Sequence, residues 1–113
     1  MLTLQGVWDV VTSHLMKQGE RCTTPDGVPQ YRNYRGLCCA VGCLIPDNLY
    51  KQDFEGKGLS PLLRTCTAEA VFGEPADKPV LQLLGELQFV HDASPVAEWP
   101  AKLTLLKEKY GLL

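Results

Sequence analysis

The chain has no excess of charge of either sign: eleven Lys and Arg stand against thirteen Asp and Glu, a formal net charge of -2. Such a balance supplies no broad positive field, which disfavours non-specific nucleic-acid binding and leaves only a local patch around Arg21, Arg32 and Arg35. No apolar run approaches the roughly 18 residues of a membrane helix, and the first residues show neither the basic start nor the apolar core of a signal peptide. A cytoplasmic protein without a membrane association is the expectation. A glycine-rich phosphate loop is also missing, because Gly36, Gly42, Gly56 and Gly58 match neither standard spacing.

Paired cysteines are lacking as well. Cys22, Cys38, Cys39, Cys43 and Cys66 make an odd total, and neighbours such as Cys38 and Cys39 are poorly placed to bridge each other. Free thiols in a reducing compartment are expected, most of them acting as small buried hydrophobes. The paired knuckle spacing of common zinc sites is absent too, so no metal and no other cofactor is expected.

What is present is enough for one real core. A chain of 113 residues hides roughly two-thirds of its extended surface on folding, and 45% hydrophobic with 21% charged residues is a globular composition. No repeat, linker or low-complexity stretch divides residues 1–113, which read as a single domain.

Apolar spacing of three and four marks the helices. Thr3 is placed to cap a first helix over 3–18, with Leu4, Val7, Trp8, Val11 and Leu15 inward and Gly19 as its stop. Ser60-Pro61 opens a second, with Leu62, Leu63, Cys66 and Ala70 as its buried stripe and Gly73-Glu74-Pro75 at its end. Asp77 opens a third, facing inward with Val80, Leu81, Leu84, Leu87 and either Val90 or His91. Ser94-Pro95 begins the last, with Trp99, Leu103, Leu106 and Tyr110 inside and Gly111 as its stop.

Between the first two helices the period is lost. Thr23-Thr24-Pro25-Asp26-Gly27 is turn chemistry, and its flanks near Arg21-Cys22 and Gln30 to Tyr34 suit a small β-hairpin near residues 20–36. Leu37 to Leu44 fits a buried strand or a short helix. The pairs Cys39, Cys43 and Ala40, Leu44 favour a short central helix ended by Pro46, with Asp47 to Tyr50 as a turn and Lys51 to Gly58 as an exposed loop. The fold expected is a mainly α, compact single domain with short connections between antiparallel helices.

No catalytic set coheres. A nucleophilic Cys38 or Cys39 with His14 or His91 as base has no local signature, and Asp47, Asp53 and Glu55 fall where solvated charge is usual. The aromatic and basic segment Tyr31, Arg32, Tyr34 and Arg35 carries the residue types enriched at binding hot spots. Their alternative role is to cover the core with their apolar stems.

The run Tyr34-Arg35-Gly36-Leu37-Cys38-Cys39-Ala40-Val41-Gly42-Cys43-Leu44-Ile45-Pro46-Asp47-Asn48-Leu49-Tyr50, followed by Glu55-Gly56, resembles a family of small, largely uncharacterised proteins encoded by bacteriophages and bacterial genomes. The stretch Leu84 to Asp92 and Trp99 with the leucines after it are similar to that family's C-terminal half. The family pattern has a polar or basic residue where this chain has Cys38. The resemblance implies an accessory protein of phage type that binds a host protein stoichiometrically, antiviral-defence components among them, in the host cytosol. A non-enzymatic protein-binding domain is therefore expected, with Tyr31, Arg32, Tyr34, Arg35, Asp47 and Tyr50 as its partner-binding residues. The alternatives are a small cysteine- or metal-dependent enzyme and a nucleic-acid-binding module.

Overall fold

The computed structural model describes all 113 residues and contains five α-helices: α1 (Leu4–Gln18), α2 (Leu59–Thr65), α3 (Ala68–Phe72), α4 (Lys78–Ala93) and α5 (Trp99–Tyr110). The Thr3 hydroxyl accepts from the Gly6 amide at 3.1 Å, and Gly19 closes α1 at φ 66°, a left-handed conformation that costs glycine little. Val7, Trp8, Val11 and Leu15 form the buried stripe of α1 and pack on α4, whose own buried face is Val80, Leu83, Leu84, Leu87, Val90 and His91. Both Val90 and His91 are inside. On its other side α4 packs against α5, which contributes Trp99 and Leu103. The architecture is mainly helical, as the apolar spacing implied.

The expected second helix is two helices. α2 stops at Cys66, which is extended (φ -128°, ψ 142°), and the Thr67 side chain captures the Ala70 amide to start α3 afresh. A threonine oxygen competing for a backbone N–H interrupts a helix in this way. Gly58, not Ser60, precedes the first turn of α2, and Ala70 is exposed while Val71 and Phe72 take the inner positions. Likewise Ser94-Pro95 leads first into a single 3-10 turn, Val96–Glu98, before α5 begins at Trp99.

Residues 20–58 hold almost no regular structure. Instead of one hairpin near residues 20–36 the chain makes two tight reversals, each with an isolated bridge, Thr23 to Pro29 and Arg32 to Cys38. Pro29 has no N–H to extend the first ladder, and the chain turns again at Asn33 before a second strand can form. Cys22 still pairs with Gln30, whose amide donates to the Cys22 carbonyl at 3.0 Å. The central segment is helical rather than extended, but it is only a turn followed by the 3-10 turn Gly42–Leu44. Ile45, ahead of Pro46, is already extended, as proline requires of the residue before it. Cys39, Ala40 and Val41 are fully enclosed there.

Lys51 to Gly58 is the exposed loop expected, with Phe54 as its one buried residue. Its 3-10 turn Gln52–Phe54 plugs Phe54 into the core, edge-on to the Tyr50 ring with centroids 6.2 Å apart.

Candidate functional site

An irregular segment packed against helices must find partners for its buried amides and carbonyls. Here side chains from the helices supply them. Gln18 at the end of α1 donates to the Cys38 carbonyl (2.9 Å) and accepts from the Cys38 amide (3.1 Å), while His14 Nε2 donates to the same carbonyl at 2.9 Å. From α4, Gln88 accepts from the Val41 amide (2.9 Å) and His91 Nε2 accepts from the Cys22 amide (2.9 Å). His91 is 0% exposed, and its other nitrogen, Nδ1, then carries the proton and donates to Asp92 at 2.7 Å.

Glu55 does the same from within the segment. Its carboxylate accepts from the amides of Tyr31 (2.9 Å) and Arg32 (3.1 Å) and from the Tyr50 hydroxyl (2.5 Å). Desolvation first, and the bond to Glu55 second, push the Tyr50 phenol well above its usual range. Reading Glu55 as a solvated charge is thus corrected: it is the clip that joins the second reversal to the turn before Phe54.

The second reversal is built by one side chain. Asn33 Oδ1 accepts from the amides of Arg35 and Leu37, both at 3.0 Å, and its Nδ2 donates to the Thr23 carbonyl at 2.9 Å. Gly36 supplies the positive φ of 78°. At the tip of this fixed turn Tyr34 is 71% exposed.

Arg32 stands at the centre of the surface beside it. Its guanidinium donates to the Ile45 carbonyl (2.5 Å), pairs with Asp47 (2.9 Å) and lies 4.8 Å from the Tyr50 ring centroid, a cation–π geometry. Nε of Arg32 is buried and has no partner. Two open clefts meet at this residue. One, of about 490 Å³, runs between Pro25, Gln30, Arg32, Tyr34, Tyr50 and Gln52; the other, of about 420 Å³, lies over Arg32, Leu37, Cys38, Cys43, Asp47 and His14.

Of the six residues expected at a partner surface, Arg32, Tyr34, Asp47 and Tyr50 are gathered on this face and Tyr31 is not on it. Tyr31 is 5% exposed; its ring is core and its hydroxyl donates to the Lys57 carbonyl at 2.7 Å. A tyrosine is comfortable inside once its hydroxyl has such an acceptor. The Asn33 turn reverses the chain between the two tyrosines and sends them opposite ways. Arg35 is at the edge, paired with Glu20 at 2.7 Å. Arg21 is drawn off to the Ser94 carbonyl at 2.6 Å, so the three arginines do not make a shared basic patch.

Burial favours the neutral form of four thiols. Burial pushes Cys22 and Cys43 up to about 12 and raises Cys39 still further, while Cys38 is raised by burial against the opposing pull of Arg32. Cys38 and His14 line the same cleft, but the imidazole bonds the Cys38 carbonyl and no sulfur bonds an imidazole. No three His, Cys, Asp or Glu side chains are close enough together to hold a metal ion. No helix is long and apolar enough to cross a membrane.

A pH dependence follows from Cys22 and Cys43. Their pKa values are higher in the folded chain than in the unfolded one, so the folded state binds the thiol protons more tightly. The stability they contribute is complete below the ordinary thiol pKa of 9.0 and is lost progressively as pH climbs toward about 12. Urea midpoints should therefore fall above about pH 9, and a disulfide reagent should label Cys22 and Cys43 far more slowly at neutral pH than the unfolded chain. Fast labelling of both in the folded protein contradicts the raised thiol pKa values.

Sequence reasoning passes over Glu55, Asn33 and His91 as functional supports. An Asn three residues before a Gly is a turn signal in its own right and points to the Asn33 turn; nothing local points to Glu55 or His91, whose partners are remote in sequence. Comparison with protein-family models, with curated proteins and with solved structures finds no match for the chain.

Proposed function

We propose that this is a non-enzymatic domain that binds a partner protein stoichiometrically through the face centred on Tyr34, Arg32, Asp47 and Tyr50. The observation that carries the reading is Tyr34 itself: a large aromatic side chain, 71% exposed, on a turn fixed by three bonds from Asn33. What sets this ring apart from other exposed side chains is its place on a rigid turn, which has already lost the conformational freedom that binding would otherwise remove. Tyrosine and arginine side by side are the residue types that dominate binding energy at protein interfaces. The raised thiol pKa values, and imidazoles committed to backbone groups, support binding over cysteine chemistry. The resemblance noted for the central segment supports a host protein as the proposed partner, antiviral-defence components among the candidates.

The test begins with capture of the partner from host lysate and continues with the purified pair. Light scattering should give a fixed stoichiometry, and Tyr34→Ala should weaken the complex at least about tenfold while leaving the thermal midpoint unchanged. Phe89, equally exposed on α4 at 70%, provides the control: Phe89→Ala should leave binding intact. Equal affinity of the Tyr34→Ala protein and the wild type would remove this face from recognition.

A further inference from the structure

We infer that the face binds its partner through a carboxylate-bearing peptide segment, for which Asp47 acts as a built-in competitor. The inference rests on the recognition reading above and names the chemistry of what is recognised.

Among the residues lining the 490 Å³ cleft beside Tyr34, Arg32 alone carries a formal charge. The remainder of the lining is amide, hydroxyl, proline and two tyrosine rings, which suits a few residues of extended peptide and calls for one anion. Arg32 is aimed without help from Asp47, because the Ile45 carbonyl and the Tyr50 ring fix the guanidinium. Asp47, by contrast, has a side chain 98% exposed whose only polar contact is this ion pair. An exposed ion pair contributes little and exchanges readily, whereas a carboxylate covered by a bound partner is better shielded from water. Displacing Asp47 frees Nη1 of Arg32, the nitrogen it occupies, for a charge-assisted bond to the incoming carboxylate. A phosphate backbone fits less well. Arg21 is drawn off to the Ser94 carbonyl and Arg35 does not line the cleft, so the cleft offers one cation where nucleic-acid binding draws on several.

The two charged residues must then respond in opposite directions. In an NMR titration of the intact protein, acetylated and amidated tetraglutamate should shift the amide signals of Arg32, Tyr34 and Tyr50, and tetraglutamine should not. Asp47→Asn should tighten tetraglutamate binding roughly two- to fivefold by removing the competitor, and Arg32→Gln should abolish it. If Asp47 merely organised the face, Asp47→Asn would weaken binding or leave it unchanged, and either result overturns the inference. So does equal binding of tetraglutamine, or of an oligothymidylate matched in charge. Because the Asp47 carboxylate lies in solvent, its variant keeps the test valid even if Arg32→Gln disturbs the Ile45 contact. Peptides bound without regard to charge, together with a partner complex that still depends on Tyr34, would discard the carboxylate and retain the recognition face.

Discussion

Gly42→Ala should destabilise the protein severely. A methyl group at position 42 would sit 2.0 Å from the Tyr31 carbonyl oxygen and 2.8 Å from its carbon, far inside any tolerated contact. The obstacle is backbone, and it cannot swing aside as a long side chain would. Tyr31 is held at its amide by Glu55, at its hydroxyl by the Lys57 carbonyl and at its own carbonyl by the Cys39 amide. Relief therefore requires the second reversal to separate from the central turn, breaking several of these bonds together. Overpacking typically costs about 1–3 kcal/mol and more where nothing yields, so a loss of about 3 kcal/mol or more is expected from a total of about 5–15. A urea titration reads it as a fall in midpoint at unchanged slope. Gly85 is the internal comparison. It lies on the open side of α4, where an added methyl would meet no atom within 4 Å, and Gly85→Ala should stabilise by about 0.5–1 kcal/mol. Equal midpoints for the two alanine variants would refute the close approach of Gly42 to Tyr31.

His91→Leu is the second large loss. Leucine keeps much of the volume against Trp99, whose ring centroid lies 5.7 Å from that of the imidazole, but it provides no acceptor for the Cys22 amide. That amide sits where His91 is 0% exposed and Cys22 is 0% exposed, so water cannot replace the lost partner without opening the core. An orphaned buried donor costs about 1–3 kcal/mol, and losing the bond from Nδ1 to the Asp92 carboxylate adds to it; about 2–4 kcal/mol in all is expected. Hydrogen exchange would show the cause, with the Cys22 amide becoming unprotected well beyond the global change. Nitrogen chemical shifts of the wild-type imidazole should in turn report the proton on Nδ1. A proton on Nε2 in the folded protein would contradict the bond from Cys22, because two donors cannot face each other.

Where the determinants are local, the sequence is a good guide to this fold. Thr3 and Asp77 cap their helices by accepting from amides three residues on, and Gly19, Gly73 and Gly111 all stop helices in left-handed geometry, because these preferences need only neighbouring residues. Thr67 shows the limit: the apolar stripe from Leu62 onward reads as one helix, and the competing side-chain bond that splits it leaves no mark on the period. The proposed recognition face is less legible. Tyr31 and Tyr34 have the same chemistry and nearly the same position in the chain, yet one is enclosed and the other displayed, because the Asn33 turn decides their directions. Glu55 reaches back 24 residues to the Tyr31 amide and His91 reaches back 69 to Cys22, distances at which no spacing rule operates.

Asn33 also separates display from scaffold. It ties the turn together through its own side chain and through the backbones of Thr23, Arg35 and Leu37, and Gly36 completes the bend, so the side chains at positions 34 and 35 carry almost none of the folding information. Substitutions at those two positions should therefore leave the frame beneath them intact. The loop is thus a replaceable tip on a fixed framework, and the proposed binding role would draw on that separation.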